Sequence, residues 1–344
     1  MKKVLLTGAS GYIGKHITLQ LLKDGYSVVA SVRELSKADE VRSAVQPHLP
    51  KNFDLAKNLT FVELDLEKDE GWDKALKGID VLMHTASPFP IASPKDENDL
   101  IRPAVDGTLR ALQVAHKAGV KRVVLTSSVA AVDGNDLPEG KTELDESMWT
   151  DINHPRGSAA YTKSKTLAEQ AAWEYIKTTA PEIALTTINP ALVIGAPLDN
   201  RFGSSVSIIE RILKASDPFL PDVAFSLVDV KNVAEMHVNA IKIDASKNKR
   251  FLASSETMSF IEIAQVIKAA YPNRKVNLTK APNFIIRILG LFDGDIKRVV
   301  PILGKRILID NNQAQKVLKI KFIPAKQSIL ETADYLIKNG FVKN

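Results

Sequence analysis

The sequence predicts an α/β protein in which a doubly wound parallel sheet carries a smaller, mostly helical C-terminal lobe. Strand-like and helix-like runs alternate through the first half of the chain, starting with a strand at Lys3–Thr7 and a helix at Tyr12–Lys23. Strands separated by helices of this length form right-handed βαβ units and a parallel sheet. Two further observations support this fold class: glycines fill the turn between that first strand and helix, and the alternation ends after Pro197.

The other elements follow from hydrophobic periodicity and turn residues. Further strands are predicted at Ser27–Val32, Leu59–Leu64, Asp80–His84, Val123–Ser127 and Ala184–Asn189. Further helices are predicted at Leu100–Ala118, Ser158–Thr178, Val206–Ala215, Lys231–Ile243, Asn311–Leu318 and Lys326–Lys338. Ser259 and Glu262 form a capping box for a helix that ends at Ala270, and Lys275–Thr279 is predicted as a strand.

These elements divide the chain into two structural units. Residues 1–195, with a contribution from 223–243, are assigned to the sheet domain. Residues 196–222 and 244–344 are assigned to the lobe, which we expect to close over the sheet. No internal repeat or long linker separates the two units, so they interleave along the sequence.

The composition is that of a globular protein and excludes several kinds of site. Hydrophobic residues make up 45% of the 344 residues and charged residues 25%, which is too apolar for a mainly disordered chain. The absence of cysteine excludes a disulfide scaffold, a thiol nucleophile, an iron–sulfur cluster and a cysteine-based zinc site. The six histidines are not spaced as metal ligands, and His84 is interpreted as a packing residue at a strand end. We therefore expect no metal site.

Charge and hydropathy limit the partners. The formal net charge is +6, but basic and acidic residues alternate, and no basic stripe carries interleaved aromatic residues. We therefore expect no nucleic-acid partner, whereas a small anionic ligand is compatible with this charge. No apolar run is long enough to cross a membrane, and the first residues lack the apolar core of a signal peptide. We expect a cytoplasmic enzyme without a membrane partner, either a monomer or a homodimer.

The glycine turn after the first strand predicts a dinucleotide site. Gly8, Gly11 and Gly14 recur at a spacing of three between the strand and the first helix. The tight turn needs a residue that tolerates positive φ, and a pyrophosphate must approach the backbone without an intervening Cβ. The helix N-terminus then offers unpaired N–H groups to the anion. Because the turn lies inside a clear βαβ unit, these glycines are assigned to the cofactor.

The tip of the second strand predicts which dinucleotide binds. Folds that prefer NAD place an acid there to bind the ribose 2′-hydroxyl. This chain has Ser31 or Val32 at that position, followed by Arg33 and Lys37. Two cations without an acid at the strand tip favour the 2′-phosphate of NADP, although Glu34 could neutralise one of them.

A tyrosine and a lysine at the start of a predicted helix form the catalytic candidate. The i, i+4 spacing of Tyr161 and Lys165 puts them on one helix face. An ammonium beside a phenol favours the phenolate and lowers the pKa of the phenol, which suits a proton donor to a nascent alkoxide. Ser127 and Ser128 supply a hydroxyl at the carboxyl edge of the sheet, where ligands bind in such folds. We assign the working hydroxyl to Ser128 rather than to Ser127.

Several motifs occur together in the order typical of one family. They are Thr7–Gly14 (Thr-Gly-x-x-Gly-x-x-Gly), Val32-Arg33 with Lys37, His84–Phe89, Pro103–Thr108, Val124–Ser128, Tyr161 with Lys165, and Val228–Val230. In these motifs the chain resembles the extended short-chain dehydrogenases/reductases of the NAD-dependent epimerase/dehydratase superfamily. More narrowly, it resembles the dihydroflavonol-4-reductase-like branch, with its cinnamoyl-CoA reductases and methylglyoxal/ketone reductases. The resemblance implies a Rossmann-type NADP-binding domain and a carbonyl-reducing activity.

The resemblance also implies roles for individual residues. The implied cofactor contacts are Gly8, Gly11, Tyr12, Ile13 and Gly14 at the pyrophosphate, Arg33 and Lys37 at the 2′-phosphate, Asp65 and Leu66 at the adenine, and Ala86, Pro190 and Val193 at the nicotinamide. Ser128, Tyr161 and Lys165 would form the catalytic triad, and Tyr161 and Lys165 would also contact the cofactor, Lys165 at its ribose. From the residues alone, Asp65 stays open between an adenine contact and a turn carboxylate.

The predicted function is NADPH-dependent reduction of an aldehyde or ketone, with Tyr161 as the proton donor. Two alternatives on the same fold stay open: a nucleotide-sugar epimerase/dehydratase and a 3β-hydroxysteroid-type dehydrogenase. Dehydration needs an acid just beyond the active hydroxyl, where this chain has Val129 and Ala130. A redox-sensing binding protein is disfavoured because such proteins commonly lose the Tyr/Lys pair. Ala104 replaces the Asn often seen in related epimerases, which argues against a catalytic tetrad.

The substrate pocket is predicted only in outline. The candidate residues are Phe89, Val129, Leu192, Phe202, Phe219 and Leu220. Their apolar side chains favour a hydrophobic small-molecule carbonyl compound as substrate. The ketone reductases of the branch often carry an aromatic residue where this chain has Val129, so we expect a different pocket wall at that point.

Overall fold

A parallel seven-stranded sheet forms the centre of the computed structural model, which describes residues 2–87, 96–292 and 299–342. The strands are β1 (Lys3–Thr7), β2 (Ser27–Val32), β3 (Leu59–Glu63), β4 (Val81–His84), β5 (Arg122–Thr126), β6 (Glu143–Leu144), β7 (Ala184–Pro190), β8 (Leu192–Ile194), β9 (Ala224–Asp229), β10 (Lys249–Ala253), β11 (Glu256–Ser259) and β12 (Leu308–Ile309). The large sheet has the order β10-β7-β5-β4-β1-β2-β3, and all its pairings are parallel. The predicted fold class is therefore confirmed.

Helices cover both faces of this sheet. They are α1 (Tyr12–Lys23), α2 (Ala38–Val45), α3 (Leu55–Asn58), α4 (Trp72–Ala75), α5 (Asn98–Lys117), α6 (Ala160–Thr178), α7 (Ser204–Leu213), α8 (Val230–Lys242), α9 (Phe260–Ala270), α10 (Asn283–Leu289), α11 (Asn312–Leu318) and α12 (Ala325–Lys338). α1 packs against α8 on one face, and α5 packs against α6 on the other. Among the described helices, none combines the length and the hydropathy that crossing a bilayer requires.

The two faces have separate hydrophobic cores because side chains alternate along each strand. On β1, Val4 and Leu6 are buried with residues of α1 and α8, such as Ile17 and Met236. Leu5, between them, is buried on the opposite face with residues of α5 and α6. A strand buried on both faces is apolar along its whole length, which is why the sequence of β1 is almost continuously hydrophobic.

The secondary structure and sheet pairing of the lobe differ from the prediction in three places. Lys275–Thr279 is not a strand, and its neighbour Lys280 forms only an isolated bridge to Leu220. β10 lies at the edge of the large sheet beside β7, although the sequence-based boundary places residues 244–344 in the lobe. Two smaller sheets, β11-β9-β8 and β12-β6, link the lobe to the loops above the large sheet. The predicted capping box of α9 is present, with both of its hydrogen bonds between Ser259 and Glu262.

β1 and β4 are neighbours in the sheet although six helices and strands, from α1 to α4, lie between them along the chain. From β1 the strands follow in chain order to β3 at one edge of the sheet, and from β4 they follow in chain order to β10 at the other edge. Such a reversal leaves a crevice at the carboxyl ends of the two strands, which is where doubly wound sheets bind their ligands.

Candidate active site

A cleft of about 1230 Å³ opens at this crevice. The sequence-predicted residues that line it are Gly8, Gly11, Tyr12, Ile13, Gly14, Arg33, Lys37, Leu66, Ala86, Ser128, Val129, Tyr161, Lys165, Pro190, Leu192, Val193 and Phe202. The predicted cofactor residues and the predicted catalytic residues therefore share one continuous cavity. A dinucleotide laid along the glycine turn would end at the tyrosine and the lysine.

The glycine turn is shaped for an approach that only glycine permits. Gly8 has a φ of +71°, and a Cβ at this residue would lie 2.8 Å from the backbone nitrogen of Ala86. A Cβ on Gly14 would lie 2.1 Å from the carbonyl oxygen of Gly8, so the first turn of α1 packs directly on the loop. Gly8, Gly11 and Gly14 therefore line the cleft at the N-terminus of α1 without a Cβ, which fits a pyrophosphate.

Two cations lie beside this turn. Arg33 and Lys37 follow β2 and line the same cleft. Glu34, which the sequence suggested as a neutralising partner, is 3.3 Å from Ser36 Oγ, which donates to its Oε2. Within the described part of the chain, Glu34 forms no ion pair with either cation. The charge and position of Arg33 and Lys37 therefore fit a 2′-phosphate.

Asp65 and Leu66 differ in their position relative to the cleft. Asp65 Oδ1 accepts a hydrogen bond from the backbone N–H of Glu67 at 3.1 Å, and Lys68 Nζ lies 3.9 Å from Asp65 Oδ2. Leu66 lines the described cleft, whereas Asp65 does not. These contacts favour the turn-carboxylate interpretation of Asp65 over the adenine contact.

The two adjacent serines have different partners. Ser127 Oγ donates to the buried Glu169 Oε2 at 2.5 Å. Ser128 Oγ accepts the backbone N–H of Ala130 at 3.2 Å and shares a hydrogen bond with the Tyr161 hydroxyl. Since Ser127 is committed to a carboxylate and Ser128 adjoins the tyrosine, the geometry favours Ser128 as the hydroxyl that meets a substrate.

Tyr161 and Lys165 are neighbours, but the electrostatics differ from the sequence expectation. Lys165 Nζ lies 5.8 Å from the centroid of the Tyr161 ring. Burial raises the pKa of Tyr161, the hydrogen bond from Ser128 lowers it, and the Asp133 carboxylate raises it further. Burial lowers the pKa of Lys165 to about 8, against an upward effect of Glu169. Lys165 therefore does not bring the phenol towards neutrality here, because removal of both groups from water outweighs their attraction, and Tyr161 holds its proton.

The Thr7 hydroxyl holds the opposite wall of the cleft in place. Thr7 Oγ1 accepts the N–H groups of Thr85 and Ala86, each at 3.1 Å, and lies 2.9 Å from His84 Nδ1. Burial lowers the pKa of His84 to about 4, so this ring is neutral near pH 7. These contacts fix Ala86 against the glycine turn. Tyr12 donates its hydroxyl hydrogen to the carbonyl oxygen of Gly195 at 2.7 Å, so only its ring faces the cleft.

The predicted substrate residues divide into three groups. Val129, Leu192 and Phe202 line the cleft. Phe219 and Leu220 do not line it: Phe219 is exposed to solvent, and Leu220 is buried in the lobe. Phe89 lies outside the described residues.

The cleft also contains residues that the sequence did not single out. They are Asp133, Arg156, Phe225 and Lys305. Arg156 Nη2 donates to the backbone carbonyl oxygen of Asp133 at 2.6 Å, and burial raises the pKa of the Asp133 carboxyl to about 6. A carboxylate therefore does lie beyond Ser128, five residues along the chain rather than directly after it. No local motif marks these four residues, because they come from separate segments.

Comparison with known proteins identifies the family. Residues 4–252 match the NAD dependent epimerase/dehydratase family. The chain belongs to this family. The match covers the large sheet except its first and last residues and includes Tyr161 and Lys165, and it confirms the family resemblance drawn from the sequence motifs.

Three proteins named as reductases resemble the chain along most of its length. Cinnamoyl-CoA reductase CAD2 of Medicago truncatula is 32% identical over 341 residues, which cover 98% of this chain and 96% of that protein. The putative NADPH-dependent methylglyoxal reductase GRP2 of Candida albicans is 30% identical over 355 aligned residues, covering 97% and 98%. The yeast methylglyoxal/isovaleraldehyde reductase Gre2, crystallised with NADPH, superimposes with a TM-score of 0.79 at 26% identity, covering 98% of this chain and 99% of that chain.

Proposed function

We propose that this chain is an NADPH-dependent reductase that transfers hydride to the carbonyl group of an aldehyde or ketone, with Tyr161 as the proton donor. One observation carries the proposal: a single cleft joins the glycine turn and two cations, Arg33 and Lys37, which form no ion pair with the described residues, to the cluster of Ser128, Tyr161 and Lys165. The named relatives support the same chemistry, since two are reductases of cinnamoyl-CoA and methylglyoxal and a third was crystallised with NADPH.

The cofactor would follow the length of the cleft. The glycine turn and the N-terminus of α1 would bind the pyrophosphate, and Arg33 and Lys37 would bind the 2′-phosphate. Leu66 would contact the adenine, and Ala86, Pro190 and Val193 would flank the nicotinamide. When bound, NADPH supplies the hydride.

The chain's own residues would handle the proton and the charge. The hydroxyls of Ser128 and Tyr161 share a hydrogen bond, so both can point at one carbonyl oxygen. Because burial keeps the phenol protonated, Tyr161 can give its proton to that oxygen as the hydride reaches the carbon. The Lys165 ammonium then stabilises the phenolate that remains, in a buried site where this attraction is strong.

The apolar wall of the outer cleft favours a hydrophobic small-molecule substrate. Val129, Leu192, Phe202 and Phe225 form this wall. Phe202 is fixed by an edge-to-face contact with Phe341, with ring centroids 5.0 Å apart. A rigid aromatic wall is typical of pockets that orient a flat or branched carbonyl compound.

The proposal is tested by following NADPH absorbance with methylglyoxal, isovaleraldehyde and cinnamoyl-CoA, with the Tyr161→Phe protein as the matched control. We expect turnover with at least one of these compounds, and none above background with the control. Isomerisation of UDP-glucose, a 4-keto-6-deoxy product from a dTDP- or GDP-hexose, or NAD-dependent oxidation of a 3β-hydroxysteroid, without NADPH oxidation on any carbonyl compound, would overturn the proposal.

A further inference from the structure

Glu169 is a buried carboxylate that the proposed chemistry does not use. It lies on α6 one helical turn after Lys165, so Tyr161, Lys165 and Glu169 follow one another at i, i+4 spacing on one helix face. Its side chain is 0% exposed. A buried charge is costly unless it is paired and hydrogen-bonded, so its presence beside the catalytic pair calls for a physical reason.

Glu169 forms an ion pair with Arg250 and accepts hydrogen bonds from four further side chains. Arg250 Nε lies 2.7 Å from Glu169 Oε1, and the guanidinium stacks 3.7 Å from the centroid of the Trp149 ring. The other donors are Ser127 at 2.5 Å, Asn189 at 2.6 Å, Thr187 at 3.0 Å and Trp173 at 3.3 Å. These five donors, of which Arg250 is also the counter-ion, hold the carboxylate in one position.

Two connections run from Glu169 to the catalytic cluster. Asn189 Nδ2 donates to Glu169 Oε2 and also to the backbone carbonyl oxygen of Ser128 at 3.1 Å, so the amide ties the serine to the carboxylate. The second connection is a cavity of about 10 Å³ that both Lys165 and Glu169 line, close to the space that one buried water molecule needs. Across the described ranges Glu169 makes no direct ion pair with Lys165, so their attraction acts through this cavity.

We propose that Glu169 is a positioning residue for the reductase reaction: its negative charge keeps Lys165 protonated, and its hydrogen bonds hold Ser128 in place. The inference rests on the proposed function and assigns the part of the site that lies behind the catalytic pair. Without an opposing carboxylate, an ammonium buried as deeply as that of Lys165 would lose its proton at a lower pH.

The other charged groups around Lys165 do not replace Glu169. On α6, Tyr161 is neutral because burial raises its pKa. From β4 and α8, His84 and His237 face the same region, and burial lowers the pKa of each to about 4, so both are neutral near pH 7. Arg250 on β10 acts through its pair with Glu169, and Asp133, in the loop after β5, acts on Tyr161. In the described structure, Glu169 is the carboxylate whose charge raises the pKa of Lys165.

The test is the pH profile of kcat for NADPH-dependent reduction of isovaleraldehyde. In the unaltered enzyme, kcat should fall as the pH rises through about 8, where Lys165 loses its proton. Glu169→Gln keeps the shape of the side chain but removes its charge. It should move the alkaline limb of the pH profile, where kcat falls, to lower pH by about one unit. Arg250→Met leaves the carboxylate without its counter-ion and should move the limb to higher pH. A purely structural role would lower kcat in both variants without moving the limb.

A double variant protects the test against misfolding. A single substitution leaves one buried charge unpaired, whereas Glu169→Gln combined with Arg250→Met removes both, and replacing a whole buried ion pair is often neutral for stability. The double variant should fold and show the limb at lower pH, like Glu169→Gln. Its melting temperature and far-UV circular dichroism provide the folding control.

A second readout separates this inference from the proposed function. The Kd of NADPH over the same pH range needs no turnover, and it should show the same displacements because Lys165 would also hold the cofactor ribose. If kcat and Kd change at the same pH in all three folded variants as in the unaltered protein, the inference is wrong even though the reductase activity stands. If no carbonyl compound is reduced but the Kd limb moves in opposite directions in the two single variants, the role of Glu169 stands and the proposed function fails.

Discussion

Ser127 donates its hydroxyl hydrogen to Glu169 Oε2 over 2.5 Å, which commits this serine to a buried carboxylate and supports the proposed catalytic role of its neighbour, Ser128. Ser128→Ala should therefore lower kcat by ~10²-fold, the usual cost of losing one donor to a developing oxyanion. Ser127→Ala should lower kcat less, and should instead destabilise the fold by about 1–3 kcal/mol, because Glu169 loses a buried donor. Steady-state kinetics and thermal unfolding of both variants measure this, and the opposite ordering of kcat would assign the role to Ser127.

Tyr161→Phe should remove the proton donor and, among the predicted cofactor contacts, only the one that the Tyr161 hydroxyl would make. We expect kcat to fall by ~10²–10⁴-fold, the usual contribution of a positioned general acid. The Kd of NADPH, followed by fluorescence titration, should change little, since the glycine turn and the two cations are untouched. Near-normal turnover by the variant on its best aldehyde would contradict the assigned role.

Arg33→Ala should raise the KM for NADPH by at least ~10-fold, because a hydrogen bond to a charged group contributes ~1.5–3 kcal/mol. Lys37→Ala should act in the same direction but more weakly, since its single ammonium cannot bind the phosphate in a bidentate manner. The KM for NADH should stay nearly constant in both variants, because NADH lacks the 2′-phosphate.

A matched control for these two variants is Arg287→Ala, which removes an exposed arginine on α10. It should leave the KM of both cofactors unchanged. An equal rise for NADPH and NADH in Arg33→Ala would contradict the 2′-phosphate assignment and point instead to damage of the turn.

Asp133 should make the stability of the fold depend on pH. Burial raises the pKa of its carboxyl from 3.8 to about 6, so the folded protein holds this proton more tightly than the unfolded chain. The favourable contribution is complete below about pH 4 and is lost as the pH rises through about 6. Asp133→Asn should therefore be more stable than the unaltered protein above pH 6, by at most about 3 kcal/mol, and should show little gain near pH 4. Urea unfolding at both pH values measures the difference, and an equal difference at both would refute the assignment.

Part of the site could be derived from sequence because it lies within one element or between two consecutive ones. The glycine turn joins β1 to α1, and the strand tip with Arg33 and Lys37 joins β2 to α2. Tyr161 and Lys165 share one helix face through the period of the α-helix alone. Glu169 continues the same i, i+4 spacing, so the sequence did contain a signal for its position. Its burial could not be derived, because the sequence does not show that Arg250 lies beside it.

The sequence by itself predicted the alternation of strands and helices in the first half of the chain, the glycine turn, and the shared helix face of Tyr161 and Lys165, because local periodicity and short spacings encode them. Only the tertiary structure decided what long-range packing brings together. It put β10 beside β7, where Lys249 pairs with Thr186, and it placed Asp133 and Arg156 in the lining of the cleft. It also reversed the expected direction of the Tyr161 pKa shift, because the loss of water around a side chain depends on every segment packed against it and not on its neighbours in sequence.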